Sequence, residues 1–244
     1  MKKIFAVIFA SLIGFIPAIS QTPYASDVFK TSGGYLKITF IGHGSLMFEF
    51  NHVVIQDDPW SKVGDYSNLP KADIILVTHH HGDHLDKTAI DQTKKDGSEI
   101  LLTQLCKDQI QEGTVMANGE GKTIKGIKIE AVPAYNLVHM SNDGKPFHEK
   151  GACNGYVLTF GNKRVYVAGD TENVPEMKNL KDIDVAFLPM NLPYTMTPEM
   201  VADAVKMFNP KIVYPYHYGS AADCDKLVQL LNDQKGTEVR VRKF

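Results

Sequence analysis

Between Val77 and Asp86 the chain reads VTHHHGDHLD, with four histidines and two aspartates in ten residues behind the apolar run ADIIL. Imidazole nitrogen and carboxylate oxygen are the donors that zinc and related divalent ions take at about 2.0–2.2 Å, and catalytic sites leave one position open. A solvated loop has no need of such a crowd, and an apolar core would be destabilised by it. In a tight turn, the spacing of His79 and His81 lets both point to one ion while Asp83 and His84 reach a second. His80 falls out of phase and is expected to point elsewhere.

Two further donors stand at the ends of apolar runs. Asp170 closes VYVAG and His217 closes IVYPY. Residues at strand ends share one rim of a sheet, so donors far apart in the chain can converge there. A carboxylate such as Asp170 can bridge two ions at the roughly 3.5–4 Å spacing of two-metal hydrolases.

The elements that must position these donors are mostly short strands. YLKITFIG, SLMFEF and HVVIQD read as hairpin strands separated by turn residues, and ADIILVT is apolar throughout, as expected of a strand covered on both faces. LDKTAIDQTKKD has helical spacing, EILLT is a strand and LCKDQIQEG a short helix. Short strands follow around Val115 and Thr123, then IKIEAVPAYN, and residues 137–151 form a polar loop. GYVLTF, RVYVAGD, DVAFLPM, KIVYPYHYG and EVRVR are the remaining strands. TPEMVADAVKMF is a helix with Thr197 as N-cap and Pro198 at its first position, and DKLVQLLNDQ is the last helix. No internal repeat is visible in the sequence, and the pattern predicts one α/β domain of two sheets with helices outside.

The N-terminus has its own logic. MKK, the apolar run IFAVIFASLIGFI and the small-residue end AIS predict a signal peptide over residues 1–20, cleaved after Ser20, with a leader at 21–35 and the folded domain at 36–244. No later segment approaches a membrane span, so the mature chain is expected to be secreted or periplasmic. Cys106, Cys153 and Cys224 are odd in number and far apart, and read as small buried residues. The 244 residues are 43% hydrophobic and 22% charged with a net charge of −2, and after the first three positions the basic residues do not cluster. That composition offers no electrostatic footprint for nucleic acid and leaves the oligomeric state open.

THHHGDHLD resembles the metal-binding signature of the metallo-β-lactamase fold superfamily, and YVAGDTEN, DVAFLPMNLPYTMTPE and YPYHYG agree with it in order. The opening ITFIGHGSLMFEF with IQDDPW resembles the start of one branch, the metal-dependent hydrolases similar to ascorbate-6-phosphate lactonase. The resemblance spans residues 36–243 and implies a four-layer αββα sandwich with a mononuclear or binuclear site on one edge. It implies that His79 and His81 hold the first ion, that Asp83, His84 and His217 hold the second, and that Asp170 bridges. The usual third histidine of the first site is replaced by Asn136 in VPAYN; His139 and His148 are the alternatives, and the resemblance favours His148. It also brings His43 and Asp58 to the same rim. Asp58 is a candidate to orient a ligand histidine or simply to form a turn with Pro59, and Tyr194 and Tyr218 are candidates to contact substrate or an oxyanion.

The expected function is therefore hydrolysis of an ester, lactone or phosphodiester of a small substrate by a metal-bridging hydroxide oriented by Asp83 and Asp170. The cofactor expected is two zinc ions, with manganese as the alternative. A non-catalytic metal-binding or sensing protein on the same scaffold is the competing reading.

Overall fold

The computed structural model describes residues 24–242, so the expected signal segment lies outside the described residues. Two seven-stranded sheets face each other. The first runs β1 (Ser26–Thr31), β2 (Gly34–Gly42), β3 (Ser45–Phe50), β4 (Val53–Asp57), β5 (Ala72–Leu76), β6 (Lys94–Leu102) and β7 (Thr114–Val115) in spatial order. The second runs β8 (Gly121–Ile124), β9 (Ile127–Ala134), β10 (Cys153–Phe160), β11 (Lys163–Val167), β12 (Val185–Met190), β13 (Ile212–Tyr218) and β14 (Glu238–Val239). In each sheet the first four strands are antiparallel neighbours and the last three join in parallel. The two halves thus share one topology, a repeat written in strand pairing that the residues themselves do not show.

Helices α1 (Lys87–Thr93) and α2 (Gln104–Ile110) belong to the first half; α3 (Pro198–Phe208), α4 (Ala221–Leu230) and a 3-10 turn at Pro175–Asn179 belong to the second. Strand alternation explains the layers. On β5, Ile74 and Leu76 enter the core between the sheets, where they join Phe48, Tyr156, Phe187 and Tyr214. Ile75 and the following Val77 face the other way, onto Ile90 of α1 and Cys106 of α2. On β12 and β13, Phe187 and Tyr214 point inward while Leu188 and Val213 lie under Val201, Val205 and Leu227 of α3 and α4. The expected αββα sandwich is the observed one, with its central strands apolar because both faces are covered.

Thr197 caps α3 by accepting from the Met200 amide, as its sequence predicts. The leader is where structure and expectation part. Residues 26–31 form β1, paired from Ser26↔Thr39 to Thr31↔Gly34. Its polar composition suits an edge strand with one face in solvent. Likewise the helix expected to run to Asp96 ends at Thr93, where the backbone turns extended at Lys94 and enters β6. All three cysteines are buried and free.

Candidate metal centre

The histidine turn sits where the parallel part of the first sheet ends. The Val77 amide still bonds to Leu101 O, and the chain then wraps so that the His84 and Leu85 amides both bond to His81 O. Asp170 follows β11 through Gly169, which has φ +64°; a Cβ there would come within 2.7 Å of the Asn154 carbonyl. His217 lies near the end of β13, its amide bonded to the carbonyl of His43 in the β2–β3 turn. Gly44 in that turn passes so close to His84 that a Cβ would stand 3.0 Å from its ring. The edges of both sheets therefore meet at one place.

The donors divide into two cradles with Asp170 between them. In the first, His79 Nε2 lies 3.1 Å from His81 Nδ1. His148 Nε2 is 3.4 Å and His79 Nε2 4.0 Å from Asp170 Oδ2. In the second, Asp170 Oδ1 is 3.5 Å from His84 Nε2 and 3.6 Å from His217 Nε2. Asp83 Oδ2 stands 3.8 and 3.5 Å from the same two nitrogens. Tetrahedral ligands at about 2.0–2.1 Å from an ion are separated by roughly 3.3 Å, so both sets have the right size. The donor atoms His84 Nε2, His148 Nε2, His217 Nε2 and Asp170 Oδ1 are buried with no hydrogen-bond partner among the described residues. Buried polar atoms are normally satisfied, and a pair of cations between these groups would satisfy all four.

Protonation differs between the two cradles. Burial, reinforced by the neighbouring imidazoles, pushes His79 well down, and burial takes His148 to about 4. His81 is lowered as well, by burial and His80. The first cradle therefore offers neutral nitrogens at neutral pH. Burial opposes charge on His84 too, but the carboxylates of Asp170 and Asp58 outweigh it and raise His84 to about 10. Asp83 and Asp170 ionise readily: burial works against them, and the surrounding histidines prevail.

Ring orientation is set one layer out. Asp58 Oδ2 accepts from His84 Nδ1 at 2.6 Å and from the Thr78 hydroxyl at 2.6 Å, while Oδ1 accepts from the Thr78 amide at 2.8 Å. The Thr78 oxygen in turn lies 3.0 Å from His79 Nδ1 and accepts its proton. One carboxylate thus keys a histidine of each cradle, turning both Nε2 atoms inward. Asp58 does more than turn the chain.

Asn136 plays the corresponding part for His148. Its Oδ1 accepts from His148 Nδ1 at 2.7 Å and from the His148 amide at 3.0 Å. Its amide group donates to Glu172 Oε1 and to Tyr194 O. His139 is directed elsewhere, its Nδ1 2.6 Å from Glu172 Oε1. Glu172 also accepts from the amides of Leu137, Val138 and His139, so a fully buried carboxylate two residues past Asp170 clamps the loop that delivers His148. Sequence reasoning missed Glu172, although its place in GDTEN beside the bridging aspartate was the available signal. It also missed Thr78.

His43 donates from Nε2 to Asp83 Oδ2 at 3.0 Å and joins Asp83, His84 and His217 as a group of close donor atoms. His80 stands outside both cradles, as its phase predicts. The Tyr218 hydroxyl donates to Arg242 O at 2.8 Å, which ties it to the C-terminal tail instead of an oxyanion. Tyr194 does border the site. With Phe147 and Asn191 it walls a cavity of about 420 Å³ above His81, His148 and Asp170, its ring edge-on to Phe147 at 5.0 Å.

Comparison with known proteins agrees with this site. The β-lactamase superfamily domain matches residues 37–217. A UPF0173 metal-dependent hydrolase from Thermococcus onnurineus is 31% identical over 215 residues, covering 82% of this chain and 93% of the relative. The crystal structure of a candidate metal-dependent hydrolase from Parabacteroides distasonis is 49% identical with a TM-score of 0.86, covering 91% of this chain and 99% of that one. A metallo hydrolase from Ignicoccus hospitalis is 27% identical with a TM-score of 0.69, covering 85% of this chain and 95% of the other. Matched across most of its length in sequence and in fold, the chain belongs to the metallo-β-lactamase superfamily of metal-dependent hydrolases.

Proposed function

We propose that this protein is a binuclear metal-dependent hydrolase of small esters, lactones or phosphodiesters. The observation that carries the reading is Asp170, whose two carboxylate oxygens each face a different set of histidines. His79, His81 and His148 would hold one ion, Asp83, His84 and His217 the other, and Asp170 both. Zinc suits this mixture of imidazole and carboxylate, with manganese the alternative. Ions held there lower the pKa of water toward neutrality and polarise a carbonyl or phosphoryl oxygen.

The chain's own contribution is placement. Asp58 and Asn136 fix which histidine nitrogens face the centre, and His43 holds Asp83 at the mouth. Ionised Asp83 and Asp170 balance cationic charge and orient the attacking water. Phe147 and Tyr194 wall one side of the cavity, which is in the size range of a small-molecule site. The basic, apolar and small-residue order of residues 1–20 supports export to the periplasm or beyond. Among the described residues no helix is long and apolar enough to cross a membrane.

The test is elemental analysis of protein purified without chelator, combined with turnover of an activated ester, a lactone and bis-p-nitrophenyl phosphate. The expected result is close to two ions per chain and hydrolysis of at least one substrate, abolished by chelator and restored by metal. Bound metal with no turnover of any of the three would favour the non-catalytic metal-binding protein.

A narrower prediction concerns Asp58. Asp58→Asn keeps an oxygen for the Thr78 amide but loses the charge that orients His84 and, through Thr78, His79. Chelator competition should show both ions bound about 10–100-fold more weakly. Unchanged affinity would reduce Asp58 to a turn residue.

A further inference from the structure

The two loops that border the metal cavity carry exposed apolar side chains. Among the exposed large hydrophobic side chains of the described residues, Leu137, Val138 and Met140 lie on the loop after β9, and Leu192 and Tyr194 on the loop after β12. Val138 is 69% exposed and Leu192 51%. Exposed apolar side chains gathered on the loops around a cavity point to a binding site.

Three observations connect this rim to the chemistry below it. Tyr194 is both a rim residue and a wall of the metal cavity, in ring contact with Phe147. The two loops are joined, because Asn136, which orients His148, also donates to Tyr194 O at 2.9 Å. Met140 forms a backbone bridge to Pro146, and Pro146 and Phe147 border a second cavity of about 380 Å³ beside His81, with Leu105 on its far wall. The two loops that carry these side chains are therefore held in fixed relation to the donor cluster. Its charged neighbours, Asp143 and Glu149 beside Lys145, lack the basic excess that docks a protein on an anionic bilayer.

We propose that this rim takes the hydrocarbon part of the substrate, so that the site cleaves carboxylic esters or lactones carrying a medium-length alkyl or acyl chain in preference to short polar ones. The proposal rests on the hydrolase reading of the metal centre and narrows its substrate class. In the reaction the oxygen of water bonds to the acyl carbon and the bond from that carbon to the alkoxy oxygen breaks. The alcohol leaves with one proton, and the acid product releases the other to solvent.

The experiment is a series of p-nitrophenyl esters from acetate to octanoate, each below its micelle concentration, with the metal-loaded protein. A fully buried methylene is worth about fourfold, and a one-sided rim about half of that free energy, or about twofold. Across the six added methylenes, kcat/KM should rise roughly 60-fold. In V138S/L192S the ratio of octanoate to acetate should fall at least about tenfold, whereas Val28→Ser, on the exposed edge strand β1, should leave that ratio as in wild type. A flat series in an active enzyme, or a ratio untouched by the double substitution, overturns the proposal while the hydrolase reading stands. Calorimetric titration with octanoate and acetate addresses the rim without turnover. If only bis-p-nitrophenyl phosphate is cleaved, the proposal is overturned while the hydrolase reading stands. If no ester, lactone or phosphodiester is cleaved, the hydrolase reading fails, and octanoate binding at least tenfold tighter than acetate, losing that margin in V138S/L192S, still supports the apolar site, whereas equal affinities overturn it. A wild-type dimer that the double substitution converts to monomer, with a flat ester series, would assign the rim to a second copy of the chain and overturn the proposal.

Discussion

Asp170→Asn should leave the protein unable to hold two ions together and lower kcat/KM for hydrolysis by at least about 10³-fold. The carboxylate supplies one oxygen to each cradle, at 3.4 Å from His148 Nε2 on one side and 3.5 and 3.6 Å from His84 and His217 on the other. Two divalent ions about 4 Å apart repel by on the order of 15 kcal/mol at an effective dielectric of about 20. An anion between them is what would make double occupancy possible. The asparagine has nearly the same shape and can still accept a hydrogen bond, so any loss reports on charge more than on packing. Elemental analysis, steady-state rates and circular dichroism of the metal-free protein together check this. A folded variant with at most one ion and a collapsed rate is the expected outcome. Two ions and a full rate would remove Asp170 from the centre of the mechanism.

His148→Ala should lose one of the two ions and at least about 10²-fold in kcat/KM, whereas His139→Ala should retain both ions. In the folded chain His148 Nε2 is buried beside Asp170 and has no hydrogen-bond partner among the described residues, while His139 Nδ1 is engaged by Glu172. Removal of His148 leaves the first cradle with His79, His81 and a share of Asp170. Asn136→Ala belongs between the two. It leaves the ligand in place but frees the His148 ring to rotate, which should weaken the first ion about 10–100-fold. Metal content after dialysis, followed by chelator competition, separates the three variants. Loss of an ion from His139→Ala with His148→Ala unaffected would reverse the assignment of the loop.

Much of this was readable from the chain alone. The apolar runs located nearly every strand, because alternation and turn residues are local properties. The turn after β5 announced its chemistry, because four of the donors lie within six residues and their relative directions follow from a short stretch of backbone. The edge strand β1 was harder, since its polar composition resembles a leader and only pairing with β2 makes it a strand. Asp58 could equally have been a turn residue until the sheets brought Thr78 and His84 to it across 20 and 26 positions.

The sequence by itself determined which donors exist and that they stand at strand ends, since residue type and periodicity are written in it directly. Only the tertiary structure decided how those donors divide into two cradles and which loop histidine enters the first. His79, His148, Asp170 and His217 come from both halves of the chain and meet only when the two sheets pack face to face and bring their strand ends to one rim. The choice of His148 over His139 depends on hydrogen bonds from Asn136 and Glu172 that no local pattern specifies. The apolar rim has the same origin. Leu137 to Met140 and Leu192 to Tyr194 are unremarkable loop residues in sequence, and their loops come together because Asn136 joins them at Tyr194.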